Sequence, residues 1–167
     1  MKEDKKMFPF GCMPVATVDG CRMGQTRSQM RYLATRAGLY NPKDAKCAYL
    51  NDNIMDQWDG VCAASQKGPE AMGPALAGLL ACVNKQMCDN NSTYVAGNTV
   101  GPADFCVAGI YANMVDPKTS GTAIPAEGKA AMQKCYDMYP KICESVKKVL
   151  ENPKLAAYIS KRPAKAQ

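Results

Sequence analysis

Hydrophobic positions along this chain repeat at helical spacing from residue 43 onward. Between residues 43 and 66 one face carries the apolar positions Leu50, Ile54, Trp58, Val61 and Cys62. The helix-breaking pair Gly68-Pro69 follows, and a second stripe then runs through Met72, Leu76, Leu79, Leu80, Val83 and Met87. Both stripes predict long amphipathic helices that bury one face against a common core.

The N-terminal segment follows a different pattern. Residues 13–23 predict two short strands joined at Asp19-Gly20, a dipeptide typical of tight hairpin turns. A helix is predicted from Gln25 to about Ala37, and the glycine and proline of residues 38–42 end it.

A further helix start is predicted at Gly101. Gly101 can serve as N-cap, Pro102 suits the first helical position, and the carboxylate of Asp104 can reach back to the N-cap N–H. The apolar helix Phe105–Met114 and a loop over 116–125 follow, and further helices are predicted over 127–137, 140–151 and 153–160. The predicted class is α+β and mostly α.

Composition and charge narrow the class of protein. The 167 residues suit one compact domain, or a small unit fused to a larger one, and 47% hydrophobic residues are ample for a core. The net charge is +6, and residues 147–167 hold six basic residues against one acidic residue. This basic tail predicts a solvated helix face, with an electrostatic adaptor as the alternative. Because few aromatic residues interleave these charges, no nucleic-acid partner is expected.

Nine scattered cysteines without a Cys-x-x-Cys pair, in a chain without histidine, argue against a structural metal. Most of these thiols are expected to be small buried side chains in a reducing compartment. The charged N-terminus does not resemble a secretory signal, and the apolar run 71–83 is too short to span a bilayer. An intracellular protein is therefore expected, cytoplasmic in the first place, with a mitochondrial or other organellar location left open.

Three motifs together resemble the cytosolic glutathione S-transferase family, closest to its sigma-like members. They are Phe8-Pro-Phe-Gly-Cys-Met-Pro-Val-Ala-Thr-Val-Asp-Gly20 followed by Gln25-Thr26 and Arg31-Tyr32, Val95-Ala-Gly-Asn98 with Ala103-Asp-Phe105, and the stretch from Tyr139-Pro-Lys-Ile to Lys-Arg-Pro163. The resemblance implies a partial thioredoxin-like hairpin and helix in residues 1–40 and the family's all-helical C-terminal bundle in residues 41–167. Gly101 departs from the serine or threonine N-cap usual in the family.

The resemblance also implies a glutathione site. Met13 and Pro14 match the family's cis-proline segment, which holds the cysteinyl amide, while Gln25 and Thr26 match the pair that takes the γ-glutamyl group. Lys5 aligns with a lysine that reaches the glycyl carboxylate. Asp56 aligns with an acid that reaches the ligand's amino group across a dimer interface. The structural alternatives are that Pro14 merely ends a strand, Gln25-Thr26 caps a helix, and Lys5 and Asp56 are solvated charges.

Catalysis is where this chain departs from the family. Family members ionise the glutathione thiol with a Tyr or Ser near the start of their first strand, and the resemblance here begins after that point. We therefore expect an N-terminally truncated pseudoenzyme without a catalytic residue, a glutathione-binding or assembly module whose open sheet edge is covered in a homodimer or a larger complex. The alternative is an active glutathione S-transferase whose catalytic segment lies upstream of this sequence.

Overall fold

Helices make up most of the structure. The computed structural model describes residues 7–8, 10–116 and 124–161. In chain order the elements are β1 Ala16–Val18, β2 Cys21–Met23, α1 Thr26–Arg36, α2 Ala45–Ser65, α3 Pro69–Asp89, α4 Pro102–Ile110 with a π-helical turn Tyr111–Val115, α5 Ala126–Asp137, α6 Pro140–Leu150 and α7 Pro153–Ser160. The predicted α+β, mostly helical class is confirmed. The predicted division at residue 40 falls between α1 and α2 and stays a prediction.

The predicted hairpin is confirmed. Strands β1 and β2 pair antiparallel, with Ala16 opposite Met23 and Val18 opposite Cys21. The turn residues Asp19 and Gly20 both have positive φ, 51° and 75°. This conformation gives a tight two-residue turn whose twist matches that of the strands.

The core lies where α2 and α3 pack against α4, α5 and α6. Every residue of the predicted α3 stripe is buried, from Met72 to Met87. On α2, Leu50, Ile54 and Val61 are buried as predicted, while Trp58 and Cys62 are half-buried at its edge. Met55, which lies outside the predicted α2 stripe, is fully buried.

Local signals set most helix starts. Asp44 caps α2 by accepting the Cys47 N–H at 3.0 Å. Prolines occupy the first position of α3, α4, α6 and α7, where the missing N–H would have no partner inside the helix. Asp104 accepts the Gly101 N–H at 2.8 Å, so the predicted α4 start is confirmed.

Two expectations need correction. Helix α4 ends at Ile110 and continues as a π-helical turn, where a regular helix to Met114 was predicted. All nine cysteines are free, but Cys106 alone is fully buried; Cys21, Cys82 and Cys88 are exposed and the others are half-buried. The prediction of mostly buried thiols was therefore wrong, because apolar composition does not tell a core position from the edge of a helix face.

No helix in the described residues is long and apolar enough to cross a membrane.

Candidate functional site

The N-terminus of α1 is exposed and has an unusual backbone. Gln25 precedes the first helical residue, Thr26, with φ 66° and ψ 106°. This positive φ is rare for a residue other than glycine and costs on the order of 1–3 kcal/mol. Within the described part of the chain, the Gln25 side chain accepts no hydrogen bond from the first-turn N–H groups of α1. The first-turn N–H groups of α1 thus lack the cap that the helix-capping alternative requires, and they carry the positive end of the helix dipole.

The segment before β1 is also exposed. The Met13–Pro14 peptide is cis, and the Met13 side chain is 68% exposed. The ring of Phe10 lies against buried Gly24: a Cβ added at Gly24 would come within 2.7 Å of Phe10 Cδ2. Gly24 directly precedes Gln25, so the segment before β1 passes close to the start of α1.

Gln29 joins these two parts. Its Nε2 donates to the Pro14 carbonyl at 2.8 Å and to the Met23 carbonyl at 2.7 Å. Gln29 lies one helical turn after Gln25 and is only 7% exposed. Pro14, which lies eleven positions before Gln25 in sequence, is therefore held near Gln25 and Thr26 at one end of α1.

Asp56 lies on α2 and has a partner within the same chain. It pairs with Arg27 of α1, and Arg27 Nη2 also lies 3.5 Å from Asp59 Oδ2. One turn further along α1, Arg31 Nη1 lies 3.3 Å from Asp52 Oδ1. These pairs hold α1 against α2. They also put the Arg27 guanidinium in the first turn of α1, beside the exposed helix start.

Two tyrosines near this region donate to carboxylates. The Tyr32 hydroxyl donates to Asp19 at 3.3 Å, and the Tyr40 hydroxyl donates to Asp52 at 3.1 Å. Burial and the neighbouring Asp52 carboxylate raise the pKa of Tyr40. Both hydroxyls thus make their hydrogen bonds to carboxylates of the same chain.

Four cysteines on the helices, Cys47, Cys62, Cys106 and Cys143, have thiols that burial keeps protonated. Burial raises the pKa of the Cys106 thiol to about 12 and also raises the pKa values of Cys47, Cys62 and Cys143. A thiol must ionise to attack an electrophile or bind a metal. In the described part of the chain, no cluster of three or more Cys, Asp or Glu side chains could hold a metal ion.

Sequence reasoning found part of this region. Met13, Pro14, Gln25 and Thr26 lie around the start of α1 as described, and Asp56 is connected to that helix through Arg27. Lys5 lies outside the described residues. The roles of all six in glutathione binding stay predictions. Gln29 and Arg27 were missed. In the sequence, Gln29 is only a polar residue four positions after Gln25. A polar residue at that position is as typical of a solvated helix face as of a buried side chain, so the sequence does not single out Gln29.

The structure thus combines a two-stranded hairpin, a helix with an exposed start and a bundle of further helices. Residues 57–162 match the family model described as "Glutathione S-transferase, C-terminal domain". The chain belongs to the glutathione S-transferase family.

Curated relatives agree with this assignment. The chain is 31% identical over 121 residues to Glutathione S-transferase 4 of Caenorhabditis elegans, a match that covers 62% of this chain and 58% of the nematode protein. It is 29% identical over 174 residues to a glutathione S-transferase of Anopheles gambiae, covering 95% of this chain and 77% of the mosquito protein. The chain thus spans little more than half of the first relative's length.

Solved structures share the fold. A Nu-class glutathione S-transferase of Haemonchus contortus superposes with a TM-score of 0.70 at 25% identity, covering 96% of this chain and 78% of that one. The monomeric Na-GST-3 of Necator americanus gives a TM-score of 0.72 at 22% identity, with 95% and 78% covered.

Proposed function

We propose that this chain binds glutathione at the N-terminus of α1. Glutathione is an extended, anionic tripeptide, so its γ-glutamyl carboxylate suits an uncapped helix start. Gln25 and Thr26 lie at that start, and the exposed Met13–Pro14 segment offers backbone groups for the cysteinyl amide. The observation that carries the proposal is the uncapped, positive-φ start of α1, with Pro14 tied to the same helix.

We also propose that the described residues bind glutathione without activating its thiol. Thiol ionisation near neutral pH needs a hydrogen-bond donor aimed at the sulfur. The hydroxyls of Tyr32 and Tyr40 donate to carboxylates. Burial raises the pKa values of Cys47, Cys62, Cys106 and Cys143, which leaves these four thiols protonated at neutral pH. The chain is then a non-catalytic glutathione-binding module.

Glutathione binding is tested by titration calorimetry of the purified chain. Thr26→Ala removes the hydroxyl at the helix start, and Ser28→Ala removes an exposed hydroxyl two residues further along the same helix. We expect wild type and Ser28→Ala to bind alike, and Thr26→Ala to bind about five- to tenfold more weakly, the usual effect of one lost hydrogen bond. Absence of binding by the wild-type chain, or equal loss in both variants, would reject the proposed site.

Assembly is the second part of this proposal. Among the described residues, β1 pairs on one side only. An apolar cleft of about 280 Å³ lies between α1 and α4, and its lining includes Leu33 and Phe105, which are 48% and 36% exposed. A second copy of the chain would cover such surface, since an open strand edge favours pairing. Light scattering distinguishes a monomer from a homodimer. A molar mass of twice 18.0 kDa in solution supports the homodimer, and a molar mass of 18.0 kDa rejects it.

An active transferase is the second candidate function. It is favoured by the coverage of the nematode relative, 58% of its length, because the remaining length of such a protein can hold the thiol-activating residue. The intact mass of the protein from its natural source separates the two. A mass near 18.0 kDa favours the binding module, and a mass larger by several kilodaltons favours the transferase. Turnover of glutathione with an aryl chloride by the 167-residue chain itself would reject the non-catalytic proposal.

A further inference from the structure

Gln29 makes an unusual pair of hydrogen bonds for a helix residue. A carboxamide nitrogen carries two hydrogens, and Gln29 Nε2 uses them on two backbone carbonyls, Pro14 at 2.8 Å and Met23 at 2.7 Å. The first carbonyl precedes β1 and the second ends β2, while Gln29 itself belongs to α1. One buried amide therefore fixes both ends of the hairpin to the helix.

Gln29 lies on α1 close to the residues of the proposed glutathione site. Gln25 and Thr26 lie four and three residues before Gln29, about one helical turn away. Pro14 is directly joined to Met13, whose backbone is the proposed partner of the cysteinyl amide. The distance between the two halves of the proposed site is therefore set through the Gln29 side chain.

Loss of this amide has a defined consequence. Gln29 is 7% exposed, so a side chain of similar size without donors would leave two carbonyls beside it without their partner. The carbonyls can recover hydrogen bonds to water by moving away from α1. That movement would separate the Met13–Pro14 segment from the start of the helix.

We propose that Gln29 is a positioning residue for glutathione: it holds the Met13–Pro14 segment at a fixed distance from Gln25 and Thr26 so that one tripeptide can contact both. This inference rests on the proposed glutathione site. Gln29 acts through the backbone it holds and is assigned no contact with the ligand.

The chain offers a matched control for this residue. Gln86 is a second buried glutamine, 9% exposed, and its Nε2 also donates to two carbonyls, Leu50 at 3.0 Å and Val95 at 2.9 Å. Gln86 lies on α3 within the helical domain. Gln29→Met and Gln86→Met thus remove the same chemistry, and only the first removes it at the proposed site.

Two measurements on the full chain test the proposal. Titration with glutathione should show about a tenfold or greater rise in Kd for Gln29→Met and a wild-type Kd for Gln86→Met. Hydrogen exchange should rise in residues 14–24 of Gln29→Met and stay at the wild-type level there in Gln86→Met. Circular dichroism confirms that both variants retain their helices.

The outcomes separate this inference from the proposed function. Equal Kd values for Gln29→Met and wild type, or an equal loss in Gln86→Met, overturn the positioning role. If the wild-type chain binds no glutathione, the proposed function fails. The hydrogen-exchange data then test only whether Gln29 holds residues 14–24 against α1. Unchanged exchange of residues 14–24 in Gln29→Met overturns the inference, and a local rise supports Gln29 as the residue that positions this segment.

Discussion

Asn51 of α2 accepts a hydrogen bond from the Ala103 N–H at 3.2 Å, across 52 residues of sequence. Ala103 is in the first turn of α4, where an N-cap side chain would normally accept. Gly101 provides none, and a Cβ added there would come within 2.5 Å of Asn51 Oδ1. Asn51 therefore caps α4 from a neighbouring helix, in the space that the serine or threonine usual in the family would use.

Gly101→Ser should consequently destabilise this chain, although serine is a good N-cap. Gly101 has an extended φ of −127°, so the cost comes from the contact with Asn51 and is about 1–3 kcal/mol in the free energy of unfolding. Asn51→Ala leaves the Ala103 N–H unpaired and should cost a similar amount. In the double variant the serine takes over the cap, so urea unfolding should show a total loss smaller than the sum of the two.

Gly109→Ala is the control on the same helix. Beyond the backbone of its own helix, no atom lies within 4 Å of a Cβ at Gly109, and alanine favours a helix interior by about 0.5–1 kcal/mol over glycine. This variant should be slightly more stable than wild type. Additive losses from Gly101→Ser and Asn51→Ala would mean that the two residues do not compete for one space.

Asp104 should give the protein a distinctive pH dependence. Its carboxylate accepts the Val95 N–H at 2.9 Å and the Gly101 N–H at 2.8 Å, but burial outweighs these donors and raises its pKa from 3.8 to about 6. The folded state therefore binds a proton that the unfolded state has released between these pH values. The stability contributed by this group is fully present below pH 3.8 and is lost as pH rises through about 6.

The loss corresponds to about 3 kcal/mol, since one pKa unit is about 1.4 kcal/mol. Asp104→Asn removes this titration, so the stability difference between wild type and the variant should shrink by about that amount from pH 4 to pH 7. Chemical unfolding at both pH values measures it. Asp89→Asn, which alters an exposed partner of Lys85, is the control and should show a much smaller change, since exposed ion pairs contribute little. A wild-type advantage that grows with pH would contradict the raised pKa of Asp104.

Local signals explain why most elements could be predicted from the sequence. The Asp19-Gly20 turn and the prolines at helix starts act on neighbouring residues. The α3 stripe is regular because the whole helix face is buried. These features need no knowledge of the tertiary fold.

What could not be predicted depends on distant residues. The Asn51 cap joins residues 52 positions apart, and the sequence around Gly101 gives no sign of it. Gln29 reads as a solvated helix residue until the hairpin packs over it. The π-helical turn after Ile110 interrupts an apolar pattern that continues unchanged. The Asn51 and Gln29 side chains each bond to the backbone of another element, which periodicity along one segment cannot report.

Asp52 should matter more than Asp59 for the attachment of α1 to α2. Asp52 accepts from Arg31 at 3.3 Å and from the buried Tyr40 hydroxyl at 3.1 Å, whereas Asp59, 58% exposed, faces Arg27 at 3.5 Å. Asp52→Ala should cost about 1–2 kcal/mol because it removes the acceptor of the partly buried Tyr40 hydroxyl and the partner of Arg31. Asp59→Ala should cost less than about 0.5 kcal/mol. Urea unfolding followed by Trp58 fluorescence compares the two, and equal losses would contradict this ranking.

Gln25 offers a test in which stability and ligand binding should change in opposite directions. Its φ of 66° is strained for glutamine, and Gln25→Gly should relieve the strain and stabilise the chain by about 1 kcal/mol. The same change removes the side chain proposed to hold the γ-glutamyl group, so the Kd for glutathione should rise.

Gln25→Ala separates the two effects, because alanine lacks the side chain but keeps the strain. It should bind glutathione as weakly as Gln25→Gly and show no gain in thermal stability. If Gln25→Gly bound glutathione as tightly as wild type, the Gln25 side chain would have no role in the ligand site. If both variants lost stability together, the positive φ would not be a source of strain, and the exposed start of α1 would need another explanation than ligand binding.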